Sequence, residues 1–270
     1  MIVESCSIYV IGKGFVDISM VGPGDIVYTI SSDLKVEETV VSSSSSEFVT
    51  QSLNFVDSGQ HKIEATNETM YFYTSERHGT GYFSFDMIPK ITPDKDYIAT
   101  KYLPVLSWPN LAGYRNNSDL ELEYCARMLA AGREAFDLNS FLSISRKCTG
   151  EDAFVFVDMI EFWHSRHPGL GWFDKVQVKS RAHVVYDDST MYEVMRLACM
   201  AGYTSSFQKY EHDRVVNISY ESTPIPGSRP KSEKYKKSYY IGNVYSINAK
   251  NRPILGTYKN KCYYLPCSTK

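Results

Sequence analysis

The 270-residue chain is short of the features that define most enzyme classes. It has no G-x-S-x-G elbow, which excludes a nucleophile-elbow hydrolase, and neither a P-loop nor a dinucleotide fingerprint, which removes the usual nucleotide and cofactor readings. Six cysteines (Cys6, Cys125, Cys148, Cys199, Cys262, Cys267) are scattered without a C-x-x-C pair, so no zinc or redox motif is implied. No window reaches the roughly 18 apolar residues that span a bilayer, and MIVESCSIYV lacks the basic start of a secretory signal. These absences lead us to expect a reduced, cytoplasmic protein with no membrane partner. The N-x-S/T triplets at Asn67, Asn116 and Asn217 then read as chance matches.

What is present is a foldable chain with 43% hydrophobic residues and a formal net charge of -2. Charge is uneven along it. Between Ser228 and Lys261 nine Lys or Arg residues face Glu233 alone, interleaved with tyrosines, a composition that suits phosphate contacts and stacking, or a solvated basic strand.

Alternating β-branched segments broken by turns predict strands at Ser7–Ile11, Ile26–Ser31, Lys35–Val41, His61–Ala65, Met70–Thr74 and Tyr82–Phe85. The run Ser42–Ser46 reads as a flexible loop tip. After Trp108-Pro109 the period changes. Leu122, Cys125, Ala126 and Leu129 share a helical face, with Ser118 and Glu121 as a capping box and Gly132 as the stop. Ala153–Trp163 reads as a helix or a buried strand, Val176–Tyr186 as a strand, and Ser189–Ala201 as a helix capped at Ser189 and stopped by Gly202. Strands follow at Thr204–Gln208 and Arg214–Tyr220. Pro224–Pro230 is the strongest linker signal, after which Lys237–Ser246 and Pro253–Tyr264 return to strand-like sequence.

Several blocks, in this order, resemble an intein-type Hint domain. GFVDISMVGPGDIVYTI (Gly14–Ile30) matches a strand, Pro/Gly turn and Gly-Asp; HKIEATNETMYFYT (His61–Thr74) falls where the family has Thr-x-x-His. YFSFDMIPK (Tyr82–Lys90) falls at the end of the N-terminal half, and VYSINAKNRPILGTYKNKCYYLPCS (Val244–Ser268) resembles the C-terminal hairpin. The middle resembles a LAGLIDADG homing-endonuclease domain, through LEYCARMLAAG (Leu122–Gly132), FVFVDMIEFWHS (Phe154–Ser165) and Ser180–Tyr220. The implied fold class is α+β: an all-β Hint-like domain formed by the two chain ends, interrupted by an α/β insertion. The boundaries expected are 1–110, 111–225 and 226–270, the last a basic linker plus the closing hairpin. Cys267-Ser268 close to the last residue reads as the end of a near-complete unit.

The resemblance implies two chemistries, and the residues support neither in full. For splicing, Cys6 would supply the first thiol if MIVES were upstream flank, with Thr66 opening the second block, but Thr69 stands where an imidazole is needed. Leu265-Pro266 stand where the family has His-Asn. For nuclease action, one carboxylate from each motif helix must converge on divalent metal. Ala131 occupies one such position, leaving Glu134 beyond it, with Asp158 and Glu161 on the second helix; magnesium is implied if that chemistry survives. His164 and His167 have no third ligand nearby.

Double-stranded DNA is the partner the resemblance implies. By alternation, Lys175, Gln177, Lys179, Arg181 and His183 are expected on the reading face of a strand, with Lys209 and Arg214 across the next pair and Arg229, Lys231, Lys234, Lys236 and Lys237 adding phosphate contacts. The competing expectations are a structural or interaction domain of a phage particle or larger assembly, for which 21 tyrosines suit an interface, and an active homing endonuclease with misaligned acids.

Overall fold

A computed structural model describes residues 1–30, 36–57, 62–75, 79–84, 115–166, 180–201, 203–219, 234–250, 252–265 and 267–268. It is a mixed α+β protein with antiparallel sheets and, among the described residues, four α-helices. The chain divides into two compact units: 1–106 with 223–259 and 263–270, and 107–222 with 260–262.

In the first unit, strand β1 (Ile2–Val3) pairs antiparallel with β13 (Lys234–Asn248), which pairs along its whole length with β6 (Ser43–Asp57). β7 (Lys62–Ala65) joins β6 to β1 and closes a small barrel. A second sheet runs β14 (Ile254–Tyr258), β2 (Cys6–Val10), β4 (Ile26–Ile30) and β5 (Val36–Val40), with β3 (Gly14–Asp17) on β2. β8 (Thr69–Ser75) pairs with β9 (Gly79–Ser84) and with β16 (Cys267–Ser268). Ile2, Val3, Ile8, Val27, Leu53, Val244 and Ile254 make the core, and burying each such side chain contributes roughly 1.5–3 kcal/mol.

The turn before β4 is fixed by Asp25, which accepts from Gly22 N at 3.0 Å and from Lys13 Nζ at 2.6 Å, while Gly24 supplies a φ of 93°. Those hydrogen bonds hold the Asp25 carboxyl below the usual carboxylate range, the Gly22 amide first.

Two sequence expectations fail in this unit. Ser43–Ser46 is the start of β6, not a loop tip, because a full-length partner in β13 satisfies its backbone groups. Lys234 and Lys236 belong to β13, which starts three residues before the strand expected at Lys237–Ser246. The Pro224–Pro230 segment lies outside the described residues.

The second unit begins with α1 (Asp119–Ala131), whose capping box is formed by Ser118 and Glu121 and whose end is Gly132 at φ 100°. A 3-10 turn (Arg133–Ala135) leads to α2 (Leu138–Ser145), a helix the periodicity does not reveal; Asp137 caps it through Asn139 N. Next comes α3 (Gly150–Arg166), packed on α1. Asp152, fully buried near the start of α3, accepts from Asn116 N and from Asn117 Nδ2 just ahead of α1. Ten residues beyond Asn117, Arg127 of α1 lies over the Trp163 ring of α3 at 4.7 Å, so the two helices run parallel.

Antiparallel strands β10 (Ser180–Val185), β12 (Arg214–Ser219) and β11 (Thr204–Lys209) follow in that spatial order. Residues Lys261 and Cys262, which open β15 (Lys261–Leu265), pair with β11. Helix α4 (Asp188–Met200) packs on β11 and β12, and its cap is Asp187, accepting from Thr190 N at 2.8 Å, rather than Ser189. Its buried Arg196 is held by Glu193, the Ser145 carbonyl and Met200 Sδ.

Candidate functional site

The backbone of residue 1 is the point at which the first unit draws distant segments together. Met1 N donates to Thr66 Oγ1 at 3.0 Å and to Thr69 Oγ1 at 2.7 Å. Its carbonyl accepts from Thr66 N at 3.1 Å and Thr69 Oγ1 at 3.0 Å. Thr69 opens β8, where Ser268 of β16 is its register partner, so residues near both chain ends meet at one threonine. Beside it a small apolar pocket of about 10 Å³ is lined by Met1, Ile8, Tyr245, Ile247, Ile254 and Leu265.

This arrangement corrects the place expected for Cys6. MIVES is not a flank, since Ile2 and Val3 are buried barrel residues, and Cys6 is 1% exposed at the start of β2 opposite Tyr258. Burial first, then Asp17 and Glu64, pushes the Cys6 thiol far above its ordinary range. A protonated, enclosed thiol is not a nucleophile. Residue 1 itself carries a thioether, which has no proton to lose. Thr66 and Thr69 can donate and accept, but hydroxyls cannot shuttle a proton near neutral pH as an imidazole does.

The acids expected for metal chemistry do not form a metal site. Glu134 lies exposed in the 3-10 turn after α1. Asp158 and Glu161 sit on α3 by Tyr203, whose phenol is pushed up by burial and by those two carboxylates. Burial also raises Asp158. Among the described residues there is no group of three or more His, Cys, Asp or Glu side chains that could hold a metal ion. His164 and His167 add no described ligand.

The expected DNA-reading face is the wrong side of its sheet. His183 is 1% exposed and Val185, two residues on, is fully buried, as are Val216 and Ile218. On the same face, Phe207 stacks edge-on against Tyr192 of α4, and Lys209 and Arg214 both end on Asp188 at 2.6 Å. Burial alone would raise the Asp188 carboxyl, but those two cations outweigh it and hold it below the usual range. The open face instead carries Ala182, Val184, Val215, Asn217, Ser206 and Gln208, brought side by side by register and free of charge. Lys175, Gln177, Lys179, Arg229 and Lys231 lie outside the described residues, Arg181 lies in β10, and Lys237 is exposed on β13.

Sequence reasoning missed Met1, Ser268 and the neutral sheet face. The signal for the first was the Thr66-x-x-Thr69 spacing, with buried Ile2 and Val3 implying that the chain start is inside the fold.

No protein-family model and no curated protein matches the chain. Among solved structures the chain is similar to the solution structure of a bacterial intein-like domain from Clostridium thermocellum, with 10% identity, a TM-score of 0.34, and 97% of this chain and 96% of that chain covered.

Proposed function

We propose that this is an intein-derived protein, a Hint-like β unit carrying a LAGLIDADG-like insertion, in which splicing and nuclease chemistry are lost and the fold serves to bind another protein. The observation that carries the reading is the meeting of Met1 with Thr66 and Thr69, the pairing of Thr69 with Ser268, and the apolar pocket that Met1 shares with Leu265. Here they offer a thioether, two hydroxyls and an aliphatic side chain. A surface role is supported by Phe48, Tyr239 and Ile241, which stand 66%, 69% and 60% exposed on one face of the β6–β13 ribbon.

DNA binding is the competing reading, and its support is the basic run ending in the exposed Lys237. Against it, the second unit holds thirteen Lys or Arg and sixteen Asp or Glu, and its open sheet face is neutral. Net negative charge opposes the phosphate contacts that supply most non-specific affinity.

Four measurements on the full chain test this. Intact mass should stay constant with and without thiol, magnesium should produce no plasmid nicking, and random duplex DNA should not shift at low salt. Affinity capture after nuclease treatment should retain proteins that a Phe48→Ser, Tyr239→Ser, Ile241→Ser triple variant loses. Identical protein sets for both forms, or a steep salt-dependent DNA shift, would overturn the reading.

A further inference from the structure

Strand β13 presents an open hydrogen-bonding edge next to a face of unusual composition. One edge is taken along its full length by β6. On the other, among the described residues, the only partners are Ile2 and Val3 of β1, opposite Tyr245 and Val244. Among the described residues no strand lies against the second edge from Lys234 to Ile241, a row of backbone donors and acceptors. Such edges pair readily with another extended chain.

The solvent face beside this edge is set by alternation. Val49 and Leu53 of β6 and Val244 of β13 point into the core, which leaves Phe48, Thr50 and Ser52 with Lys237, Tyr239 and Ile241 outside. Register sets Tyr239 opposite Ser52 and Ile241 opposite Thr50, with Phe48 diagonal to Ile241. The exposed face thus runs from a cation to three large apolar side chains and includes no carboxylate over those six positions.

Resting on the interaction reading above, we propose that β13 binds a partner protein through an extended acidic–apolar peptide added as a new strand along Lys234–Ile241. Backbone pairing supplies the affinity common to strand addition, and alternate side chains supply selectivity. At about 3.4 Å per residue, five peptide residues cover Lys237 to Ile241. An acid sits opposite Lys237, and β-branched or aromatic residues two and four positions away cover Tyr239, Ile241 and Phe48. Charge decides against a second copy as occupant. A copy of β13 would bring its own Lys234, Lys236 and Lys237 to an already cationic strand, where like charges oppose pairing. Duplex DNA would satisfy the cations but leave the apolar side chains uncovered.

The test is selection of displayed ten-residue peptides on the full-length protein, followed by fluorescence anisotropy with a labelled winner. Enrichment of alternating acidic and apolar residues is expected. Lys237→Glu should weaken the acidic winner by roughly fivefold and improve its Lys-substituted counterpart. Tyr239→Ser with Ile241→Ser should weaken it by about tenfold or more. The same peptide with proline at alternate positions should fail, because proline cannot donate to a ladder. Because all three substituted side chains are exposed, unchanged thermal unfolding of the variants excludes misfolding as the cause. Winners indifferent to these variants, or displaced by random duplex DNA, would overturn the peptide site while leaving the broader interaction role to the capture experiment; selection without enrichment would also overturn it.

Discussion

Thr69 holds residue 1 from two sides, accepting from Met1 N at 2.7 Å and donating to the Met1 carbonyl at 3.0 Å, with its own side chain fully buried. Thr69→Val keeps the shape and removes both bonds, leaving Met1 N and its carbonyl to their remaining bonds with Thr66. The expected cost is about 1–3 kcal/mol in urea unfolding. Thr69→His should not produce thiol-dependent cleavage, because the residue it would serve carries a thioether. Fragments seen by intact mass in that variant would show that a nucleophile has been overlooked.

Buried thiols make stability fall at alkaline pH. Burial, and then Glu121, pushes Cys125 from 9.0 to about 12, and burial likewise raises Cys6, Cys148 and Cys262. The folded chain keeps these protons while the unfolded chain releases them above pH 9. Their stabilisation is therefore complete below that point and declines as pH rises toward the folded values, by about 1.4 kcal/mol per pH unit for each group. Cys125→Ala should make the decline shallower by one group's share. A flat unfolding free energy between about pH 8.5 and 10.5 would contradict the burial of these thiols.

The two faces of β10 should respond differently to the same charge. His183→Arg forces a guanidinium under α4 and should cost several kcal/mol, roughly 3 or more. Ala182→Arg points to the open face and should change stability by about 0.5 kcal/mol or less. Paired thermal melts decide it; equal losses would mean the strand phase is wrong.

Asp188 masks two cations at once. In Asp188→Asn, Lys209 and Arg214 lose their carboxylate, so the variant should elute later from heparin than the wild-type chain. Stability should fall by about 1 kcal/mol or less, because the pair is partly solvated. Unchanged elution would indicate that the cations find other acids.

Removing the Ser118 hydroxyl tests the start of α1. Ser118→Ala loses the bond that its hydroxyl accepts from Glu121 N and the one that it donates to Glu121 Oε2, keeps the backbone bond from Ser118 N to Glu121 Oε2, and should cost about 1 kcal/mol by urea melts. A loss indistinguishable from zero would mean that tertiary packing alone holds the helix end.

Much of the element list was legible because it depends on local periodicity. The capping box at Ser118, the strands around Ile26–Ile30 and Arg214–Ser219, and the helix ending near Met200 all follow from spacing and end signals. Other features were not legible for definable reasons. Alternation marks a strand but is silent on which face meets a helix, and one residue of phase separates buried His183 from half-exposed Ala182. The serine run took strand form from a partner nearly two hundred residues away, which no local window contains. Helix α2 is too short for its period to stand out, and its cap at Asp137 was the usable cue. Packing buries Glu193 and Arg196, a charged pair whose helical spacing alone carries no sign of that burial.

The sequence by itself determined the α+β class and the succession of strand-like and then helical periods along the chain. These are matters of composition and short-range order. Only the tertiary structure decided that Met1 rather than Cys6 meets the two threonines, that Ser268 joins them, and that Lys209 and Arg214 end on one carboxylate. Each joins residues far apart in the chain, and local propensity holds no information about which distant partner a side chain will meet. Which side of a sheet receives a helix is settled by the same long-range packing.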